Sequence, residues 1–488
     1  MGEDIQRLYS AGMRLTSDAH RLLASREDVK HVVDKLLVAN LVFVTKEDVE
    51  KVISQESKLP TPVEVARSPS FKPSAKDFTP RVKVVQDEDV SGKSRCTGTM
   101  DDFVVYFRNR FERMQKLLRA RTNSNPFVKS SRLRQNAMQK AILVAMVIGK
   151  RITKKGDMVV EVEDDEGQAL IFVSAKEKCF KDAKALLNDD IVAFEGKITE
   201  TFLIAENLMW PDIPVLKERN YTKNDVAIAY LSDLHVGSKF FLEKEFMKFI
   251  SWLKGNEGNE ELAGKVKYIE IAGDVVDGIG VYPSQEKELI VRDIYKQYEM
   301  FTKLMDEIPD YITIIVSPGN HDAVRRAEPQ PQLPPELLKE SRALSIGSPS
   351  RLDIEGLRHL VYHGTSLDSI ISGISGLSYA KPEEPMLALL KRRHLSPIYG
   401  GNPIVPEAHD YMVINDEPDV VHMGHIHKNG SMLYRGTLLL NSGTFQARTE
   451  FQVRMGHVPS PCIVPILETA SGKLTHLSFK GEETAISR

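Results

Sequence analysis

The spacing of apolar positions changes along the chain and predicts different kinds of structure in its successive parts. Near the start, apolar residues recur at helical spacing after Ser25 and Thr45, each followed three residues later by an aspartate, Asp28 or Asp48. A serine or threonine with an acidic residue three positions on is typical of a helix N-terminus. Residues 1–55 are therefore predicted to form a small helical docking module.

The next part of the chain is poor in apolar residues and rich in proline and serine. Its prolines are Pro60, Pro62, Pro69, Pro73 and Pro80. A segment of this composition buries little apolar surface and tends to stay extended. Residues 56–98 are therefore predicted to form a linker.

A basic helical connector is predicted for residues 99–139. Between Arg108 and Lys140 there are ten lysines or arginines and a single acidic residue, Glu112. Two interpretations remain open. The basic side chains form either a helix face covered by water or a strip that contacts the phosphates of a nucleic acid.

Residues 140–215 contain short apolar runs with β-like alternation. Turn signals at Lys155-Gly156 and Glu166-Gly167 join several of these runs into hairpins. Five strands with one helical insert in about 75 residues predict an OB-type β-barrel. Such barrels bind single-stranded nucleic acid or dock other proteins, and Phe172 and Phe194 suit either stacking or a core.

In residues 216–488 apolar strands alternate with amphipathic helical stretches, which predicts an α/β domain. Five of these strands end in side chains that can bind metals. They run into Ser232-Asp233-Leu234-His235, Gly273-Asp274-Val275-Val276-Asp277, Asn320-His321-Asp322, His363-Gly364 and Gly424-His425-Ile426-His427. Open α/β sheets build their sites at the carboxyl ends of the strands. One such histidine is usually a core residue, but five strand ends in succession are not explained that way.

Seven side chains from these strand ends are candidate metal ligands: Asp233, His235, Asp274, Asn320, His363, His425 and His427. Seven ligands exceed what one ion needs. Mixed oxygen and nitrogen donors favour a pair of manganese, iron or zinc ions over calcium. Two ions about 3.5–4 Å apart would share Asp274 as a bridge.

Composition narrows the class of protein. A formal net charge of -3 over 488 residues excludes a uniformly basic coat for nucleic acid, although a local basic patch is compatible with it. The three cysteines form no CxxC pair, so neither a disulfide framework nor a thiolate zinc site is expected. The longest early apolar run, residues 36–44, is too short for a bilayer, and no signal peptide precedes it. A cytoplasmic protein without membrane contact is expected.

The order of the strand-end motifs resembles that of the calcineurin-like metallophosphoesterases, whose DxH, GDxxD, GNHD, HG and GHxH motifs all have a counterpart here. The resemblance implies a β-sandwich flanked by helices and assigns the ligands. One metal would be held by Asp233, His235, Asp274 and His427, and the other by Asp274, Asn320, His363 and His425. His321 would protonate the leaving oxygen and would be oriented by Asp277 or Asp322.

One departure from that superfamily's pattern bears on the substrate. Its Ser/Thr phosphatases have Arg directly after GDxxD and Glu after GNH, whereas this chain has Gly278 and Asp322. A clamp for phosphomonoesters is therefore missing. The departure favours the diesterase and nuclease branch.

Longer segments around the ligands narrow the resemblance further. The stretches SPGNHDAVRRAEPQPQLP, VYHGTSLDSI, LLKRRHLSPIYGGNPIVPE and GTLLLNSGTFQARTEFQ resemble the small subunits of archaeal family-D DNA polymerases. That resemblance implies a 3′–5′ exonuclease that proofreads DNA for a separate large polymerase subunit, in a heterodimer. The expected cofactors are two divalent metal ions, Mn²⁺ first, with Mg²⁺, iron or zinc as alternatives. Other replication proteins are expected to bind through the N-terminal module.

Basic residues close to the motifs are candidates for contact with DNA: Arg325, Arg326, Lys391, Arg392 and Arg393. Phosphate contacts of this kind fix a protein's position on DNA, but the same residues also suit a solvated surface. His394 is a weaker candidate for the site. Residues 441–467 mix apolar and arginine residues in a way typical of interface cores and are expected to bind the large subunit.

Two other functions compete with the proofreading exonuclease. One is a phosphodiesterase that acts on a small free nucleotide, which the predicted barrel, linker and N-terminal module disfavour. The other is a non-catalytic interaction subunit, which the complete set of candidate ligands disfavours.

Overall fold

The computed structural model describes residues 2–10, 13–24, 29–38, 43–50, 65–122, 124–454 and 456–480. The chain divides into two compact units, residues 1–64 and 65–488. The described helices of the first unit are Gly2–Ser10, Ser17–Ala24 and Val29–Val38, and Arg14–Leu15 pairs in parallel with Phe43–Val44. A last helical stretch starts at residue 46, where the Asp48 carboxylate accepts the backbone N–H of Thr45 at 2.9 Å. The predicted cap at Ser25 and Asp28 lies outside the described residues.

The second unit contains a sandwich of two six-stranded sheets. The first sheet has the order Leu344–Ser345, Thr313–Ser317, Val266–Ala272, Ala227–Leu231, Ile463–Glu468 and Lys473–Ser478. The second has the order Asn429–Tyr434, Thr437–Ser442, Val420–Met423, Leu357–Val361, Ser350–Ile354 and Val82–Val84. A buried apolar cluster with Ile228 and Tyr268 from the first sheet and Leu352 and Leu440 from the second lies between them.

Helices cover the outer face of each sheet. Glu243–Leu253 and Ile294–Asp306 bury Phe246, Trp252 and Phe301 against the first sheet, with Glu260–Lys265 beside them. Leu367–Gly373 and Glu383–Arg392 pack against the second sheet. The α/β layering and the helix-flanked sandwich agree with the predicted fold class.

Ahead of the sandwich, five strands close into a barrel. They are Lys140–Ile152, Met158–Asp164, Gly167–Val173, Ile191–Ile198 and Leu203–Met209. The barrel closes because the first of these strands pairs with Ile191–Ile198 as well as with its successor. The short helix Phe180–Lys184 is the predicted insert. Phe194 is fully buried inside the barrel and is a core residue, while Phe172 is half-buried beside Phe202.

The prediction of a linker over residues 56–98 is wrong for residues 65–98. Val82–Val84 is an edge strand of the second sheet, paired antiparallel with Ser350–Ile354. The Asp89 carboxylate accepts the Gly347 backbone N–H and the Ser350 hydroxyl, both at 2.8 Å. Proline is tolerated at sheet edges and in irregular segments, so a proline-rich stretch can lie against a domain without forming a long element. Residues 56–64 lie outside the described residues.

The predicted basic connector contains the helix Met100–Arg119, which Thr99 and Asp102 begin with a capping box. Its buried face repeats every four residues through Tyr106, Arg110, Met114 and Leu118. Short elements follow at Phe127–Val128, Ser130–Arg132 and Arg134–Asn136. Neither predicted role fits Arg110, because its guanidinium is buried and pairs with the Asp410 carboxylate at 2.7 Å.

The described ranges include no helix that is both long and apolar enough to cross a membrane.

Candidate metal centre

The candidate ligands meet where five strands end. Three of these strands, Ala227–Leu231, Val266–Ala272 and Thr313–Ser317, run in parallel in the first sheet, and two, Leu357–Val361 and Val420–Met423, run in parallel in the second. Parallel strands that end side by side bring their following residues to one edge. A cavity of about 280 Å³ lies at this edge, and its walls include Asp274, Asn320, His321, His425 and His427.

The backbone at the candidate ligands is strained. Five of them have positive φ angles, between 51° and 69°, which residues other than glycine rarely adopt: Asp233, His235, Asp274, His425 and His427. The neighbouring Gly319 and Gly424 leave no room for a side chain, since a Cβ atom there would overlap the carboxylates of Asp274 and Asp233 respectively. Strain of this kind persists at functional sites, where the surrounding structure fixes it.

The donor atoms converge around two carboxylates and one amide. Oδ2 of Asp274 lies 3.3 Å from Nε2 of His363 and 3.8 Å from Nε2 of His235. Oδ1 of Asp233 lies 3.2 Å from Nε2 of His427. Oδ1 of Asn320 lies 3.0 Å from Nε2 of His363 and 3.1 Å from Nδ1 of His425. Nε2 of His427 also lies 3.1 Å from Nε2 of His235, so all seven predicted ligands are within one connected cluster.

Partners outside the cluster fix the orientation of the imidazole rings. Nδ1 of His235 lies 3.0 Å from an Asp277 carboxylate oxygen, and Nδ1 of His363 donates to the Ala272 carbonyl at 2.8 Å. Nε2 of His425 lies 3.0 Å from the Asp368 carboxylate. Each of these rings therefore turns its other nitrogen inward with a lone pair, which is how metal-binding histidines are held. The donor set fits divalent metal ions, and three overlapping groups of its side chains could each hold one: Asp233, His235 and His427; His235, Asp274 and His321; Asp233, Asp274 and His363.

The cluster concentrates negative charge in a buried place. Burial alone would raise the pKa of Asp274, but the imidazoles of His363 and His321 outweigh burial and hold it well below its usual range. Burial would lower the pKa of His363, yet Asp274 raises it to about 10. Burial and the charge of Asp274 raise the pKa of Asp322 to about 7. Protons and metal ions therefore compete for the same donor atoms.

The predicted orienting groups of His321 need correction. Nδ1 of His321 donates to the backbone carbonyl of Asp277 at 2.8 Å, so Asp277 orients this ring through its main chain. The Asp277 carboxylate instead contacts His235. The Asp322 carboxylate accepts the Gly319 backbone N–H at 2.8 Å and the Tyr298 hydroxyl at 3.0 Å, and so holds the loop rather than the imidazole.

Two of the predicted DNA-binding residues, Arg392 and Arg393, are buried, with 6% and 1% of their surface exposed. The Arg392 guanidinium pairs with the Asp190 carboxylate at 2.8 Å. Arg393 donates to the backbone carbonyl of Asn415 at 2.7 Å. The prediction is wrong for both, because a guanidinium enclosed by the protein cannot reach a DNA phosphate.

The other basic candidates differ among themselves. Arg325 is half-buried and pairs with Glu407 at 3.2 Å. Arg326 is exposed and donates to the Val281 carbonyl at the wall of the cavity. His394, the weaker candidate, is buried and lies 2.9 Å from the Asp410 carboxylate, away from the cluster. Only Arg326 combines exposure with a position beside the cavity.

The expectation of a partner-binding segment at residues 441–467 is wrong for several of the apolar side chains that the structure describes there, although Val453 and Val458 are exposed. Phe445 and Ile466 are buried in the apolar core of the first sheet, and Ile463–Glu468 is a strand of that sheet. The composition that suggested an interface is explained by the core of the domain itself.

Several residues that hold the site were not found from the sequence. Asp368 contacts His425, and the side-chain amide of Gln452 lies 2.8 Å from Nδ1 of His427. The side chains of Gln285 and Gln446 donate to the Asp277 carboxylate at 3.0 and 3.1 Å. None of them stands in a metal-binding motif. Asp368 alone carried a sequence signal, an acidic residue five positions after the histidine of the HG motif.

Known proteins similar to this chain agree with the geometry of the site. Residues 226–429 match the calcineurin-like phosphoesterase family. The DNA polymerase II small subunit of Archaeoglobus fulgidus is 45% identical over 408 residues, 82% of this chain and 81% of that protein. The DNA polymerase II small subunit of Methanocaldococcus jannaschii is 43% identical over 406 residues, 81% and 68% of the two chains.

A third relative extends the similarity to nearly the whole chain. The DNA polymerase II small subunit of Methanothermobacter thermautotrophicus is 35% identical over 494 residues, which cover 98% of this chain and 100% of that protein. Identity at this level over most of both sequences reflects common descent. The protein therefore belongs to the family of archaeal DNA polymerase II small subunits and contains a calcineurin-like phosphoesterase domain.

Proposed function

We propose that this chain is a 3′–5′ exonuclease that removes nucleotides from single-stranded or mismatched 3′ ends of DNA and proofreads for a large polymerase subunit. One observation carries the proposal. Seven oxygen and nitrogen donors converge in one cluster beside His321, and five of them line one cavity. Three of the four ligand histidines are held from outside by hydrogen bonds to oxygen atoms. The similarity of the chain to DNA polymerase II small subunits supports DNA as the substrate.

The cluster would hold two divalent ions, with Mn²⁺ expected. Asp233, His235, Asp274 and His427 would hold the first, and Asp274, Asn320, His363 and His425 the second. Bound there, the ions would polarise the phosphodiester and provide an activated water as nucleophile. Asp274 is suited to the shared position because its carboxylate lies within 3.8 Å of histidines from both sets, His235 and His363.

His321 would protonate the departing 3′ oxygen. Its Nδ1 is engaged by the Asp277 carbonyl, so Nε2 is the atom that faces the cavity, 4.0 Å from Asp274 Oδ2. Burial lowers the pKa of His321, which makes its protonated form a stronger acid than an exposed histidine. A proton transferred from Nε2 to the leaving oxygen would complete the hydrolysis.

The chain would also bind the large polymerase subunit. An apolar groove of about 760 Å³ lies between the helix Met100–Arg119 and the barrel, lined by Phe103, Phe107 and Met146 among others. Met100 and Tyr399 at this groove are exposed. Contiguous exposed apolar surfaces are typical of sites that bind another protein. The barrel would then be an OB-type barrel used for docking, and the N-terminal module would bind other replication proteins.

A test of the partner proposal follows from the boundary of the second unit. Residues 65–488 co-expressed with the large subunit should co-elute with it, because the edge strand Val82–Val84 and the helix Met100–Arg119 are retained. Residues 135–488 should fail to give a stable complex, since both are removed. If residues 65–488 stay apart from the large subunit while the full chain binds it, the main interface lies in residues 1–64.

The nuclease proposal is tested with the purified chain and Mn²⁺ on DNA labelled at its 5′ end. Single-stranded and mismatched primers should shorten one nucleotide at a time, and matched duplex ends should shorten more slowly. An identically purified His321→Ala preparation controls for contaminating nucleases. Release of the 5′ label as a mononucleotide would contradict the polarity, and inactivity both alone and with the large subunit would contradict the proposal.

A further inference from the structure

Three aromatic rings line the candidate cavity without a role in the chemistry described above. The rings of Tyr379 and His457 are tilted against each other by 34°, with centroids 4.0 Å apart. Tyr282 lies beside His321, with ring centroids 6.0 Å apart. All three side chains are half-buried and contribute to the cavity wall.

The Tyr379–His457 pair is tied to the candidate ligands on both sides. Tyr379 follows the helix Leu367–Gly373 and is hydrogen-bonded to Asp368, whose carboxylate contacts Nε2 of His425. His457 donates its backbone N–H to the carbonyl of Gln452 at 2.9 Å. The Gln452 side chain in turn contacts His427. Two segments about 80 residues apart in the chain thus place a flat surface at a fixed position relative to two candidate ligands.

The lining of the cavity restricts what this flat surface can bind. None of the described residues that line it is a lysine or an arginine, so its walls offer rings and polar atoms rather than cationic side chains. The volume of about 280 Å³ is close to the lower end of the range of small-ligand sites. Aromatic rings stack on any nucleobase, because every base has a flat π face.

We propose that Tyr379 and His457 form a nucleobase-binding subsite. The last base of a single-stranded 3′ end stacks on the Tyr379 ring while its phosphodiester lies at the carboxylate–histidine cluster. This inference rests on the proposed exonuclease function and adds how the terminal nucleotide is recognised. Stacking does not depend on base identity, which suits removal of any misincorporated nucleotide. It requires an unpaired base, which a mismatched end supplies at a lower cost of unpairing.

The test uses the full chain with Mn²⁺ and two single-stranded oligonucleotides that differ only at the 3′-terminal residue. One ends in a normal nucleotide and the other in an abasic deoxyribose phosphate unit. The wild-type chain should show a higher kcat/KM on the normal end by about 5- to 150-fold, the usual effect of one base–aromatic stack. Tyr379→Leu should reduce this ratio to near one.

Two matched variants separate stacking from positioning of the ligands. Tyr379→Phe loses the hydroxyl that contacts Asp368 but keeps the ring, so it should keep the wild-type ratio whatever its absolute rate. Tyr295→Leu, at an exposed position on the helix Ile294–Asp306, should also keep the ratio. A wild-type chain that hydrolyses both oligonucleotides equally would overturn the subsite. So would a Tyr379→Leu variant that still prefers the normal end, or loss of the preference in Tyr379→Phe. If the wild type hydrolyses neither, the exonuclease proposal itself fails, and the subsite with it.

Discussion

Replacement of Arg110 by alanine should strongly destabilise the chain, because Arg110 anchors the helix Met100–Arg119 through a buried ion pair. Its Nε donates to the Asp410 carboxylate at 2.7 Å, and its other nitrogens donate to the Pro397 carbonyl at 3.1 Å and the Tyr106 hydroxyl at 2.7 Å. Arg110 and Asp410 have 3% and 0% of their side chains exposed. The nearby Arg113 guanidinium donates to the main-chain carbonyl of Asp410 at 2.5 Å and lies 3.8 Å from the Glu88 carboxylate.

The expected size of the effect follows from what remains around Asp410. The nearest imidazole, His394, lies 2.9 Å away, and burial together with the charge of Arg110 lowers its pKa to about 4 in the wild-type chain. Arg110→Ala removes the guanidinium that pairs with the Asp410 carboxylate, and this buried carboxylate then depends on His394 taking up a proton. Breaking a buried pair in this way costs about 3–5 kcal/mol. That is a large share of the roughly 5–15 kcal/mol that stabilises a typical protein.

The assay is guanidinium unfolding of the full chain at pH 7, followed by the fluorescence of its two tryptophans, Trp210 and Trp252. Lys116→Ala, an exposed position on the same helix, is the matched control and should change the free energy of unfolding by less than about 0.5 kcal/mol. Arg110→Leu combined with Asp410→Asn should recover part of the loss, since no charge then stays buried. A loss in Arg110→Ala no greater than in the control would refute the anchoring role.

Three further predictions concern the proposed acid, the DNA contact and pH. His321→Ala should lower turnover by about 10²–10⁴-fold while the chain still binds Mn²⁺ in calorimetry, and loss of Mn²⁺ binding would instead make His321 a ligand. Arg326→Ala should weaken DNA binding and flatten its salt dependence but leave hydrolysis of a small chromogenic phosphodiester unchanged; equal losses on both substrates would contradict a DNA contact. His394, which faces Asp410 and Arg110, has a folded-state pKa of about 4 against an ordinary 6.5, so the unfolded chain binds its proton more tightly. The contribution of His394 to the free energy of unfolding is complete above pH 6.5. It falls by about 3 kcal/mol as the pH drops to 4. In unfolding experiments, His394→Asn should make this loss of stability between pH 6.5 and pH 4 smaller.

The position of the candidate site could be predicted because its residues follow strand ends. Asp233 and Asp274 follow neighbouring parallel strands, and His363 and His425 follow neighbouring parallel strands of the other sheet. An apolar run that ends in a ligand residue is visible in the sequence, and parallel strands bring such ends together. The α/β layers follow from the same alternation of apolar strands and amphipathic helices.

Partners distant in the chain could not be predicted. From the sequence, Arg392 is expected to be a basic surface residue. In the fold it contacts Asp190, which lies 202 positions earlier in the chain. Asp368 and Gln452 each contribute one contact to an imidazole, which imposes no spacing that a motif could reveal. The sequence shows which residues are charged, but the fold determines which neighbour neutralises each charge.

The predicted linker failed for a different physical reason. The average composition of residues 56–98 is polar and rich in proline. A few apolar side chains in this stretch, among them Phe71 and Val90, are nevertheless buried in the second unit. A short edge strand needs only three residues, and Val82–Val84 is too brief to give a periodic signal. Segments that complete an existing core need much less apolar surface than segments that fold alone.

The central claim, that the carboxylate–histidine cluster is a metal-dependent phosphodiesterase site with Asp274 shared between two ions, is tested most directly by the Asp274→Asn variant. Hydrolysis of 5′-labelled single-stranded DNA and Mn²⁺ content should be measured on the same preparations of wild type and variant, with tryptophan fluorescence to show that the fold is kept. An amide is a poor replacement for a carboxylate shared by two cations. The account predicts a folded variant without detectable hydrolysis and with reduced Mn²⁺ content. Near-normal turnover with two ions still bound per chain would contradict it.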